Sequence, residues 1–224
     1  MKKAAAFILS VALTACSIDA YDKGEGEYSL LTAEMADVTI GSDKYTKAIE
    51  TDQGEKLTLA KPVTVKWMEK GDTTYRALVY YKQQADGKAE MVSMSRVGVL
   101  KPRRLTSEDG REEVMKTDPL YVESVWTGKN KKYVNMRLRL LTGEASPDPS
   151  DGGEKAVQTL GLIDCSPSSE GQRAAFVLYH DQGGQPEYYS TTAFVSIPLN
   201  EVPADTLTIT VNTYDGPIVK TLAR

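Results

Sequence analysis

From Tyr28 onward, apolar residues fall at every second position in short runs rich in Val, Thr, Tyr and Leu, and Gly, Asp or Pro interrupts each run. Period two places successive side chains on opposite faces of a strand, so these runs read as half-buried strands and not as amphipathic helices. The longest helical candidate, Leu105 to Lys116, has no recurrent apolar face. The chain is therefore expected to be all-β.

In the first half, strands are expected at Tyr28 to Ile40, Tyr45 to Thr51, Glu55 to Ala60, Thr73 to Gln83 and Ala89 to Leu100, with Asp86-Gly87 as a hairpin turn. One long strand followed by shorter ones suits a small curled barrel of the OB type over residues 28–100. Residues 101–118 are highly charged and bounded by prolines, and read as a linker. In the second half, strands are expected at Tyr121 to Thr127, Lys132 to Thr142, Ala156 to Cys165, Arg173 to Asp181, Tyr188 to Leu199, Thr206 to Tyr214 and Ile218 to Leu222, the last two joined by an Asp215-Gly216 turn. Alternation is clear where Leu207, Ile209 and Val211 oppose Thr208, Thr210 and Asn212. One dry and one wet face indicate an antiparallel, immunoglobulin-like β-sandwich over residues 119–224.

The N-terminus carries a different message. Met1-Lys2-Lys3, an apolar run to Leu13 and the small residues Thr14 and Ala15 form a signal peptide over residues 1–15, too short to span a bilayer. Leu13-Thr14-Ala15-Cys16 resembles the bacterial lipobox, which makes Cys16 the expected lipidation site and residues 16–27 a polar, Gly-containing tether. Ser17 in place of an acid after Cys16 fits outer-membrane routing; Asp19 and Asp22 leave the periplasmic or cell-surface side open. Losing Lys2 and Lys3 leaves 25 basic against 31 acidic side chains, a charge near −6. Such a surface does not supply the general attraction to phosphate on which nucleic-acid binding relies. With Cys16 acylated, Cys165 has no disulfide partner and reads as a buried, inert thiol at a strand end.

No catalytic set assembles. His180 is the sole histidine; Asp181 follows it but points to the opposite strand face, and no Gly-x-Ser-x-Gly turn accompanies it. His180 is expected to shape the Gly183-Gly184 turn, and a Cys165–His180 dyad has no independent support. A structural zinc needs more Cys and His ligands than the mature chain holds. Asp148, Asp151 and Glu154 could offer oxygens to calcium but lack the EF-hand spacing. Neither a metal nor a cofactor is expected. The remaining lead is aromatic. Tyr75, Ala77, Val79 and Tyr81 share a core-like face of one strand, which turns Arg76, Tyr80 and Lys82 outward as candidate ligand-binding residues. Trp126 joins them as a candidate in the second half, beside Tyr188-Tyr189 and the loop at Gly183 to Glu187; packing at a core or strand edge competes with that role throughout.

The lipobox, the short OB-like half and the segments Tyr121-Val-Glu-Ser-Val-Trp126-Thr-Gly128, Lys132-Tyr-Val-Asn-Met-Arg-Leu-Arg139, Leu178-Tyr-His180-Asp181, Thr192-Ala-Phe-Val-Ser-Ile-Pro198-Leu199 and Thr206-Leu-Thr-Ile-Thr-Val-Asn212-Thr-Tyr214 together resemble the NigD-like lipoproteins of Bacteroidota. The resemblance implies an N-terminal OB domain, a C-terminal sandwich and a role beside a bacteriocin or in immunity, and it carries over no catalytic residue. The expectation is a non-enzymatic, lipid-anchored envelope module that binds a protein or glycan partner and no nucleic acid. The alternative is a carbohydrate-binding accessory protein or a weak glycan hydrolase.

Overall fold

Alternation along one long strand organises the first sheet. The structure, a computed structural model, describes residues 31–105, 107–108, 111–112, 114–143, 157–166, 173–202 and 204–223. Cys16 and the Asp148, Asp151 and Glu154 loop lie outside the described residues. Strands β1 (Leu31–Ile40), β2 (Thr46–Thr51), β3 (Lys56–Leu57), β4 (Thr73–Gln83) and β5 (Ala89–Arg96) pair antiparallel in the order β3-β2-β1-β4-β5. The two ends of this sheet approach each other through a parallel bridge, Leu59 to Ala89. Ala60 N donates to Ala89 O, and Ala89 N to Thr58 O. The order is that of an OB fold, but the sheet is curled and not closed by a continuous ladder. Ala36, Val38 and Ile40 from β1 and Ala77, Val79 and Tyr81 from β4 fill its interior with Ile49, Met68, Ala89 and Met94. The residues between them, Asp37, Arg76, Leu78 and Tyr80, face the other way.

The run from Ala89 to Leu100, expected as one strand, is cut at Val97. The chain must leave the first sheet there, and β6 (Gly98–Val99) then pairs in parallel with a strand of the sandwich. Glycine permits the close approach, because a Cβ on Gly98 would meet Val195 Cγ1 at 3.3 Å. Next, β7 (Pro102–Arg103) pairs with the opposite sandwich sheet, and β8 (Ser107–Glu108) and β9 (Arg111–Glu112) pair with each other.

The sandwich consists of β10 (Tyr121–Thr127), β11 (Tyr133–Thr142), β12 (Thr159–Asp164), β13 (Arg173–Asp181), β14 (Tyr189–Pro198), β15 (Thr206–Val211) and β16 (Ile218–Ala223). One sheet runs β10-β11-β14-β6 and the other β16-β15-β13-β12-β7. Both are mixed: β13 is parallel to β15, β14 to β6 and β12 to β7, while the other pairs are antiparallel. Among the described residues the one helical element is a 3-10 turn, Leu199–Glu201, and no helix is long and apolar enough to cross a membrane. Met136, Leu138, Leu162, Phe176, Leu178, Ile197, Leu207 and Ile209 form the shared core between the sheets. Each buried side chain of this size contributes roughly 1.5–3 kcal/mol relative to exposure.

Candidate binding groove

The first sheet meets the sandwich through two alternating sets of residues. On β11, Asn135, Arg137 and Arg139 point away from the sandwich core, and β14 places Ser196, Phe194 and Thr192 opposite them. The outward face of β4, with Arg76, Leu78 and Tyr80, lies against this outer surface.

At one end the contact is polar and sealed. Arg76 Nε donates to Ser196 Oγ at 3.0 Å, Nη2 to Asn135 Oδ1 at 3.1 Å and Asp52 Oδ2 at 2.5 Å, and Nη1 to Asp37 Oδ1 at 3.3 Å. Asn135 Nδ2 donates to Asp52 Oδ2, and Ser196 Oγ to Asn135 Oδ1. The guanidinium also stacks 4.0 Å from the Tyr133 ring centre. Burial, followed by the Asp37 carboxylate, pushes the Tyr133 hydroxyl up to about 12. Asp52 Oδ1 is buried and has no hydrogen-bond partner among the described residues. Arg76, expected at the surface, is 4% exposed. A charge this deep is retained because its donors meet carboxylate, amide and hydroxyl oxygens together.

Further along, the contact becomes apolar and then opens. Met35, Leu78 and Val97 form a small buried cluster, and Tyr80, Trp126 and Phe194 pack against it. Two of the sequence candidates, Tyr80 and Trp126, thus meet at one seam. Lys82 continues the same β4 face two residues past Tyr80 and is half-buried. Beyond the seam lies an open groove of about 610 Å³. Leu78, Tyr80 and Phe194 line one side, Leu100, Leu140 and Leu160 the other, and among the described residues Arg96 is the only charged one along it. Neither the groove nor the buried network was visible in period-two patterns, because both arise where residues far apart in sequence face one another.

His180 and Cys165 lie elsewhere and apart. His180 stands near the end of β13 as expected, but it is buried at 2% exposure and its ring nitrogens face Asp118 O and Gln158 Oε1, not the Gly183-Gly184 turn. Its Nδ1 lies 2.9 Å from Asp118 O, which can only accept, so Nδ1 carries the proton. Asp181 is taken up by Lys116 at 2.6 Å, and its carboxyl is held below the usual range chiefly by that contact. The acid and the imidazole are therefore committed to different partners. Cys165 is exposed, which corrects the expectation of a buried thiol. It sits just past the end of β12, where the inward alternation has ceased, and its N–H donates to Ala175 O. His180 pairs with Leu160, five residues back along that strand, roughly 16 Å at strand rise. No Cys165–His180 dyad forms. Among the described residues no group of three or more His, Cys, Asp or Glu side chains could hold a metal ion.

At the end of the sandwich, Tyr121 and Tyr214 stack at 4.8 Å and Arg139 covers Tyr121 at 3.9 Å. The Tyr214 hydroxyl donates to Glu187 Oε1, and burial together with that carboxylate holds it protonated well above the ordinary tyrosine range. Tyr188 and Tyr189 are exposed.

No family model matches the chain, and no curated protein does. Solved structures do. A NigD-like immunity protein from Bacteroides caccae superposes with a TM-score of 0.62 at 23% identity, over 84% of this chain and 91% of that one. A protein described as toxin-related from Parabacteroides distasonis gives 0.63 at 18% identity, over 87% and 93%. A protein described as a lipoprotein from Bacteroides fragilis gives 0.58 at 13% identity, over 86% and 96%. At these identities the likeness is one of fold. The resemblance read from the sequence thus holds in three dimensions: the chain has the fold of the NigD-like immunity protein.

Proposed function

We propose that this chain is a two-domain binding module of the bacterial envelope, anchored through lipidated Cys16 at the outer membrane, that receives a protein partner and carries out no chemistry on it. The observation that carries this reading is the groove. Among the described residues its wall is aliphatic, aromatic, hydroxyl- and amide-bearing with the single charge of Arg96, the composition of a contact surface and not of an acid–base site. The immunity and toxin-related descriptions of proteins with the same fold support a partner of that kind. The acidic net charge argues against nucleic acid as the partner. Tyr80 packs at the seam and also lines the groove, Trp126 packs at the seam alone, and Arg76 serves by fixing the seam.

A photo-crosslinking residue in place of Tyr80, in the full chain within its native envelope, is expected to yield one discrete protein adduct, whereas the same residue in place of exposed Tyr45 yields none. Reproducible turnover of a glycan, abolished by a single carboxylate substitution, would overturn the reading. Cys16→Ala is expected to release the chain from membranes. A second reading, glycan binding, is favoured by one observation: Tyr188 is 80% and Tyr189 53% exposed, beside the Tyr121–Tyr214 stack. Glycan retention lost in Tyr188→Ala would establish it.

A further inference from the structure

The groove wraps an unfinished sheet edge. Strand β14 is paired with β11 along its whole length, but on its other side, among the described residues, β6 covers it only opposite Val195 and Ser196. Leu100 N donates to Ser196 O, so Ser196 turns its backbone groups towards the β6 side. In a strand, every second residue presents its N–H and C=O to the same edge. Thr192 and Ser190 therefore direct both groups to that edge beyond the point where β6 ends. Tyr189, Ser190, Thr191 and Thr192 are exposed on both faces of the strand.

Soluble proteins blunt such an edge with Lys, Pro or a covering element, because it is a template for another strand. Ser190-Thr191-Thr192 carries none of these blunting residues. The space beside the edge also suits an added strand on both faces. On the inner side, Leu140 and Leu160 stand at the mouth of the sandwich core; on the outer side, Tyr80 and Phe194 flank the seam. Arg96 borders the groove, is exposed, and forms no ion pair among the described residues.

We infer that the groove takes an extended segment of a partner protein, which adds as a strand to the open edge of β14 in line with β6. The segment carries aliphatic residues at alternate positions, which enter the mouth between Leu140 and Leu160, and a carboxylate that pairs with Arg96. Backbone hydrogen bonds to Ser190 and Thr192 supply the attachment, and the alternating side chains supply the choice of partner. This inference rests on the protein-binding reading above and specifies its mode.

The test selects binders from a random peptide display library with the full chain purified in mild detergent, then measures amide hydrogen exchange with and without the selected peptide. The expected result is enrichment of alternating aliphatic sequences with an acidic residue, and slowed exchange at Ser190 and Thr192. N-methylation at alternate peptide positions should weaken binding about tenfold or more, as loss of an edge hydrogen bond predicts, while the intervening positions tolerate it. Arg96→Glu should reverse the preference for acidic peptides. Peptides that bind but protect amides away from β14, or show no alternation under N-methylation, would overturn the edge site and leave the protein-binding reading standing. A library that yields no binder overturns the edge site too, and a simultaneous absence of the Tyr80 crosslink removes the protein-binding reading with it.

Discussion

The outer face of the β10-β11-β14 sheet is treated in opposite ways at its two ends. Around Asn135 and Ser196 it is covered by β4, dried, and filled by a buried arginine with its carboxylate and amide partners. Around Thr192 the same face and its edge stand open to a groove. The polar end is the specific one: hydrogen bonds from a planar guanidinium to residues of β1, β11, β14 and the β2 turn fix the register of the two parts. The apolar end is the permissive one, and permissiveness is what a binding surface requires. A chain that must hold its parts in one arrangement and still present an adaptable surface can separate the two tasks along a single strand.

The largest expected effect is at the sealed end. Arg76→Met leaves the Asp52 carboxylate buried without its cation, and chemical denaturation should register a loss of about 3–5 kcal/mol. Arg76→Met with Asp52→Leu should recover much of that loss, since it removes both charges; no recovery would show that the network's geometry, and not the uncompensated charge, dominates. At the seam, Leu78→Ala should cost about 2 kcal/mol by the same measurement, through lost transfer energy and the cavity left behind. Tyr133 supplies a pH test. Its hydroxyl is raised to about 12 from roughly 10 when unfolded, so the unfolded chain ionises first. Stability from this group is intact below pH ~10 and is lost as pH climbs towards 12, by about 1 kcal/mol once solvent screening is allowed for. Tyr133→Phe should flatten that part of the stability-against-pH curve. At the open end, Tyr80→Ser should change stability by less than about 1 kcal/mol. An equal loss at Tyr80 and Arg76 would erase the distinction between the ends. The smallest effect belongs to Cys165→Ser, within about 0.5 kcal/mol. In the native wild-type chain, a thiol titration should find Cys165 reactive without denaturant.

The longer strands were legible in the sequence; β7, β8 and β9, which lie in the stretch read as a linker, were not, and neither was the site. Thr73–Gln83, Tyr121–Thr127 and Arg173–Asp181 begin and end where alternation and turn residues place them. The face of β4 that forms the first core, Tyr75, Ala77, Val79 and Tyr81, follows from period two alone. The opposite face could be named but not interpreted. Arg76 has the chemistry of a surface residue, and its burial depends on Asn135 and Ser196, which no local pattern connects to it. Cys165 failed for the reverse reason: it continues an apolar run by one residue after the strand has ended. The break at Val97 was hidden because leaving one sheet for another keeps the backbone extended, so the alternation on either side looks continuous.

The bond from Arg76 to Ser196 joins residues 120 positions apart. The ladders of the first sheet use only its own strands, so the sheet can form before β14 docks, and until then the Arg76 guanidinium and the Asp52 carboxylate are wetted by solvent. Docking then becomes a late and discrete event, in which water on a preformed ion pair is exchanged for the amide of Asn135 and the hydroxyl of Ser196. Contacts of such long sequence separation slow folding. The same network that gives the finished molecule its register thus closes only once Asn135 and Ser196 stand on folded β11 and β14.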